Sequence, residues 1–165
     1  MNADTNAFIK LVKHPLKFRM FLLSKLPSAY FAGVRVREVD EKRCMVSVPY
    51  KWFSKNPFRS TYFACLAMAA EMSTGTLALV HLYKRNPAVS MLVVKVEGEY
   101  FRKAVDKTNF VCEDGELIKQ LIDESVNTGE ARTIRARSIG TNMQNEVVAE
   151  FFITWSFKAK KQLNN

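Results

Sequence analysis

The chain has 165 residues, 48% of them hydrophobic, with only 6 Gly and 5 Pro. This excludes a disordered or linker protein and predicts one domain whose core needs neither disulfides nor a structural metal. An excess of 25 Lys and Arg over 16 Asp and Glu gives a net charge of +9, which favours anionic partners. The basic residues are scattered over the N-terminal helix, Arg35 and Arg37, Lys84 and Arg85, Arg132 to Arg137 and Lys158 to Lys161. With no nucleic-acid module and no face of interleaved aromatic and basic residues, nucleic acid is set aside as a partner. Cys44, Cys65 and Cys112 are odd in number and far apart in sequence, with only His14 and His81 to help. They predict no disulfide framework, no metal site and a reducing cytoplasm.

Residues 1–26 read as a helical extension, with apolar positions at Phe8, Leu11, Val12, Leu16, Phe18, Phe21 and Leu22 and a restart at Pro15, which suits a first helical turn. Lys10, Lys13, Lys17 and Arg19 interrupt any apolar core for export. The basic amphipathic pattern fits a helix packed along the body of the domain, with a lipid-facing helix as the alternative. No apolar run reaches the roughly 18 residues that span a bilayer, so stable membrane insertion is not expected.

Residues 27–160 carry the domain, and 161–165 a tail. Alternation after Pro27 predicts a hairpin of residues 34–38 and 44–48 about an Asp40-Glu41-Lys42 turn. A helix follows, ending near Arg85-Asn86-Pro87. Strands at 91–102 and 108–112, joined by a turn at 104–107, read as a second hairpin. Asp114 is placed to cap a helix through about Val126, with Leu117, Leu121 and Ile122 inward and Asn127-Thr128-Gly129 at its end. The last strands, 131–139 and 146–157, alternate cleanly and supply edges for pairing. The fold class is α+β, with an antiparallel sheet wrapped around one central helix.

That central helix is the most informative segment. From Thr61 to Leu82 its only charged residue is Glu71, among small residues including Ala64, Ala67, Thr74 and Ala78. A lone carboxylate in such a setting needs a partner or a task, and desolvation raises its pKa toward the range useful to a general base. The alternative is a Glu satisfied structurally by nearby hydroxyls or by Asn56. Cys65 reads as a buried structural thiol, and Ser60 and Thr61, just before the helix, as N-cap residues.

The layout, with the stretch "NPFRSTYFACLAMAAE" opening the central helix, resembles the hotdog-fold acyl-CoA thioesterase superfamily, near the phenylacetyl-CoA thioesterase-like proteins. In those enzymes an Asn precedes the helix, a Gly of a His-Gly-Gly motif follows seven residues later, and an acidic residue eight further on; Asn56, Phe63 and Glu71 keep that spacing. The sequence departs at Tyr62-Phe63-Ala64, which stands where the family has His-Gly-Gly. The resemblance implies hydrolysis of an acyl-CoA or related thioester. Glu71 then serves as base or nucleophile, the Phe63 backbone amide as oxyanion donor and Asn56 as orienting residue. Arg59, Ser60, Thr61, Tyr62, Ala64 and Thr74 line the substrate, and Arg59, Lys84 and Arg85 are candidates for its phosphates. It implies no cofactor beyond the coenzyme A of the substrate, and a homodimer or dimer of dimers whose sites draw on both subunits. The alternative is a non-catalytic hotdog module that binds an acyl chain or acyl-CoA, or a purely structural dimer.

Overall fold

The structure, a computed structural model, describes residues 3–160; the tail expected at 161–165 lies outside them. The N-terminal extension comprises two helices, α1 (Ala3–Lys13) and α2 (Pro15–Lys25), restarted at Pro15. His14 caps α2, its Nδ1 accepting from the Lys17 amide. Both helices are tied to the domain: Phe8, Ile9, Val12 and Leu22 join the common core. After Leu26 the structure departs from the expected alternation. Another proline at a first helical position starts α3 (Pro27–Ala32), and Gly33, at φ 77°, closes it in the left-handed region.

Six strands form one antiparallel sheet: β1 (Arg35–Val39), β2 (Cys44–Val48), β3 (Val89–Tyr100), β4 (Thr108–Cys112), β5 (Arg132–Thr141) and β6 (Val147–Ala159), in spatial order β1-β2-β4-β5-β6-β3. The β1–β2 hairpin is as expected, with the Asp40 carboxylate accepting from the Lys42 and Arg43 amides in its turn. A register shift between Val36 and Glu38 changes the phase of β1, so that Val39 is buried and Glu38 exposed. The second expected hairpin does not form. β3 pairs with β6, while β4 pairs with β2 and β5. The connecting segment is carried away from β4 by two bonds, the Phe101 amide to the Val148 carbonyl and the Thr61 amide to the Ala104 carbonyl. The last two strands are therefore interior, and the sheet edges are β1 and β3.

The central helix, α4 (Phe63–Leu82), lies against the inner face of this sheet with Leu66, Ala69, Ala70, Leu77 and Ala78 buried. It is long and apolar enough to cross a bilayer by length and composition, but it is the core helix and mostly buried. Small residues let the strands approach it. The same thinning occurs in the sheet, where a Cβ added to Gly140 would lie 2.5 Å from the Phe110 ring and one on Gly98 2.7 Å from the Phe151 ring. Several buried hydroxyls are paired: those of Ser73 and Ser138 meet at 2.8 Å, and Ser125 Oγ donates to the Glu130 carbonyl while accepting from the Ala159 amide.

The last helix, α5 (Gly115–Thr128), ends at Gly129 in the left-handed region. Its inward positions are Ile118 and Ile122, fully buried, with Leu121 partly buried; Leu117, expected inside, is exposed. Asp114 holds the N-cap position without capping. Its carboxylate instead accepts from the Arg137 amide of β5. The three cysteines are free and buried. Though far apart in sequence, Cys44 and Cys112 are register partners across β2 and β4, and burial pushes the Cys112 thiol up to about 12.

Candidate active site at the start of the central helix

α4 begins without a side-chain cap. Ser60 and Thr61, expected to cap it, are both buried one and two residues too early, and Tyr62 occupies the N-cap position with no side-chain hydrogen bond to the helix. The first amide of the turn with a partner is that of Cys65, which donates to the Tyr62 carbonyl. The amides of Phe63 and Ala64 have no acceptor among the described residues. Two free donors stand at the positive end of a 20-residue helix, where the field favours negative charge.

These donors stand beside an open, largely apolar hollow of about 530 Å³, lined by Asn56, Ser60, Thr61, Tyr62, Phe63 and Leu66 from one side and by Tyr100, Phe101, Arg102 and Lys103 from the other. The Thr61 hydroxyl is buried there with no partner. The Phe63 ring leans on the Tyr62 ring at 4.8 Å and is exposed, so it borders the hollow without filling it. Sequence reading missed the Tyr100-Phe101-Arg102-Lys103 wall. Two aromatic residues followed by two cations at a strand end are its signal, and only the pairing of β3 with β6 shows where they go. Arg102 is paired with Glu146 at 2.6 Å.

Asn56 lines the hollow, but its side chain serves the loop that carries it. Oδ1 accepts from the Phe58 and Ser60 amides, and Nδ2 donates to the Ser60 hydroxyl at 3.0 Å. Arg59 sits at the tip of that loop, exposed, with φ 59°. Ala64 is half-buried in the first turn of α4. Thr74 is turned into the core: its hydroxyl donates to the Glu71 carbonyl and accepts from Trp155 Nε1 at 2.9 Å, fixing α4 against β6. Lys84 and Arg85 stand beyond the far end of α4, about 30 Å of helix away from the free amides. They pair with Asp4 and Asp123, so they cannot hold phosphates of a ligand at the helix start of the same subunit.

Glu71 lies two turns into α4, half-buried, on the side toward Trp155 of β6. A Cβ on Gly75 would come within 3.1 Å of both Glu71 Oε1 and the Trp155 ring, so this glycine makes the space the carboxylate occupies. The Glu71 carboxylate has no hydrogen bond or ion pair among the described residues, which leaves the structural alternative of a hydroxyl- or Asn56-satisfied Glu without a partner. Burial pushes it above the usual carboxylate range. Eight residues of helix separate it from Phe63, about 12 Å along the axis. The carboxylate and the free amides thus belong to different turns of the helix. Among the described residues no group of three His, Cys, Asp or Glu side chains is arranged to hold a metal.

One curled antiparallel sheet in this strand order around a single long helix is the hotdog fold. Solved structures share it at low identity, among them the following three. A Pseudomonas aeruginosa protein of unknown function described as a probable thioesterase has 20% identity and a TM-score of 0.73 over 97% of this chain and 99% of its own. A Chlorobaculum tepidum protein of unknown function has 16% identity and a TM-score of 0.76 over 94% and 100%. A thioesterase from Haemophilus influenzae has 10% identity and a TM-score of 0.64 over 91% and 94%. The chain belongs to the family described as a domain of unknown function, DUF4442, which matches residues 16–156. No curated protein matches it in sequence.

Proposed function

We propose that the protein is a dimeric hydrolase of acyl thioesters, with acyl-CoA as the substrate class. The reading is carried by the uncapped start of α4, where the Phe63 and Ala64 amides have no acceptor among the described residues and Phe63 lines an open apolar hollow. A thioester carbonyl placed there develops negative charge against two fixed donors. The Glu71 carboxylate takes a proton from water, and the resulting hydroxide attacks the carbonyl carbon. The C–S bond breaks, and the leaving thiolate takes the proton from Glu71. Because the two halves of this machinery are about 12 Å apart on one helix, each site combines the helix start of one subunit with Glu71 of the other. The unpaired edge β3, with Leu92 exposed at 66% and Val94 and Val96 beside it, is the surface on which two subunits join their sheets. The free, buried cysteines suit a reducing cytoplasm.

A second reading, a non-catalytic hotdog module that binds acyl-CoA, draws on two observations. Phe63 carries a ring where the resembled enzymes have none, and the Asn56 side chain is consumed within its own loop. Hydrolysis of short, medium and long acyl-CoAs by the wild type and by Glu71→Gln separates the two readings. Activity lost by at least about a hundredfold in the variant supports the hydrolase. Activity unchanged by the variant refutes the mechanism, and binding in calorimetry without hydrolysis establishes the module.

A further inference from the structure

α2 is apolar on both sides. Leu22 is fully buried, while Leu16, Met20 and Leu23, spaced along the opposite side, are exposed, Leu16 at 67% and Met20 at 57%. Apolar side chains clustered on a helix face are ordinarily covered. The uncovered surface continues through contacts onto the neighbouring elements. The Arg19 guanidinium lies 3.9 Å over the Tyr30 ring, and Tyr30 meets Phe31 edge-on. Phe31 lies 5.7 Å from Phe53, which touches Trp52, exposed at 84%.

Cations border this surface: Lys17, Arg19 and Lys25 lie on α2 itself. The basic clusters farther along the sequence are matched by acids. Between α2 and β1 a groove of about 130 Å³ is lined by Lys13, Arg19, Arg35 and Arg37 and by no carboxylate. Arg19 Nη1 is buried in the fold without a hydrogen-bond partner, and none of the four cations has an ion pair among the described residues.

Exposed Leu and Met flanked by Lys, a protruding Trp, and a small cationic groove beside them match the two layers of an anionic bilayer surface, acyl boundary and headgroup phosphate. In the dimer proposed above a second copy pairs at β3, whereas α1 packs on β1, the other sheet edge. We propose that the α2 face, with Trp52 at its rim, seats the protein reversibly on membranes rich in anionic phospholipid, and that the Lys13–Arg19–Arg35–Arg37 groove takes a headgroup phosphate. The groove shares no lining residue with the candidate active site, and only the assignment of the second copy to β3 rests on the dimer proposed above.

The experiment uses the full chain with vesicles of phosphatidylcholine alone or mixed with phosphatidylglycerol. The protein should sediment with the mixed vesicles and remain in solution with phosphatidylcholine. Its fluorescence should shift to the blue on binding, because Trp52 leaves water while Trp155 is already buried. Trp52→Phe should abolish the spectral shift. Lys13→Glu with Lys17→Glu should lower partitioning at least about tenfold at unchanged melting temperature. Equal binding to both vesicle types, or none to either at low salt, overturns the proposal. So does a fall in oligomer size by light scattering in Leu16→Ser with Met20→Ser, which would assign the face to a second copy of the chain.

Discussion

Compared with Phe63→Ala, which already removes the ring, Phe63→Pro removes one hydrogen-bond donor and little else. Phe63 is the first residue of α4, where proline is well tolerated because its missing N–H has no helical acceptor. Here that amide has no acceptor of any kind among the described residues. Tyr62 already has φ −62° and ψ 133°, the extended conformation that a residue before proline prefers. Folding stability should therefore stay within about 0.5 kcal/mol of the Phe63→Ala control, the range for surface substitutions without a special role. Loss of one oxyanion donor costs about a hundredfold to a thousandfold in kcat, ~3 kcal/mol, with the Ala64 amide still in place. Steady-state acyl-CoA hydrolysis should show kcat reduced in Phe63→Pro with KM nearly constant, and Phe63→Ala close to wild type. The shared site adds a sharper test. Phe63→Pro and Glu71→Gln subunits, unfolded and refolded together, should recover about a quarter of wild-type activity, since half the dimers are mixed and one of their two sites is intact. Equal activity in the Pro and Ala variants refutes the oxyanion assignment, and no recovery on mixing refutes the two-subunit site.

Three further outcomes are expected. Because burial raises the Glu71 pKa above its ordinary 4.5, stability from the protonated group is fully present below that value and lost as pH rises through the native one. Urea unfolding over about pH 4 to 8 should show Glu71→Gln gaining on the wild type as pH rises, and a constant difference at all pH contradicts the burial argument. Leu92→Lys on the exposed β3 edge should yield a monomer by light scattering and abolish hydrolysis, since a charge on an edge strand opposes pairing; a fully active dimer excludes β3 as the joint. Gly140→Ala forces a Cβ against the buried Phe110 ring and should cost about 1–3 kcal/mol, seen as a lower urea midpoint; a neutral effect means the ring moves freely.

Much of the fold was legible in the sequence because its two main signals are local. The run of small residues around a lone Glu71 marks the central helix, and the alternation from Ala149 to Phe157 marks a strand with one buried face. What the sequence concealed depends on the third dimension. The β3 segment reads the same whether it pairs with β4 or with β6, and only the crossing held by the Phe101–Val148 and Thr61–Ala104 bonds decides it. The register shift at Val36 exchanges Glu38 for Val39, and a rotation of α5 by one residue exchanges Leu117 for Ile118. For the candidate site, Glu71 stands out as the lone charge of its helix, and Asn56 and Phe63 enter only through the resemblance to the hotdog thioesterases. Their division between one end of the helix and its middle became apparent only with the helix in hand, as did the wall contributed by Tyr100 to Lys103.

The bare start of α4 sets two demands against each other. A Ser, Thr, Asp or Asn at Tyr62 would return about 1 kcal/mol to the helix by accepting from its first turn, and selection for rigidity alone would be expected to install one. That side-chain oxygen would compete with a ligand carbonyl for the same unpaired end of the helix. The tyrosine at this position keeps the end of the helix vacant, and the chain holds its most buried helix at less than its attainable stability.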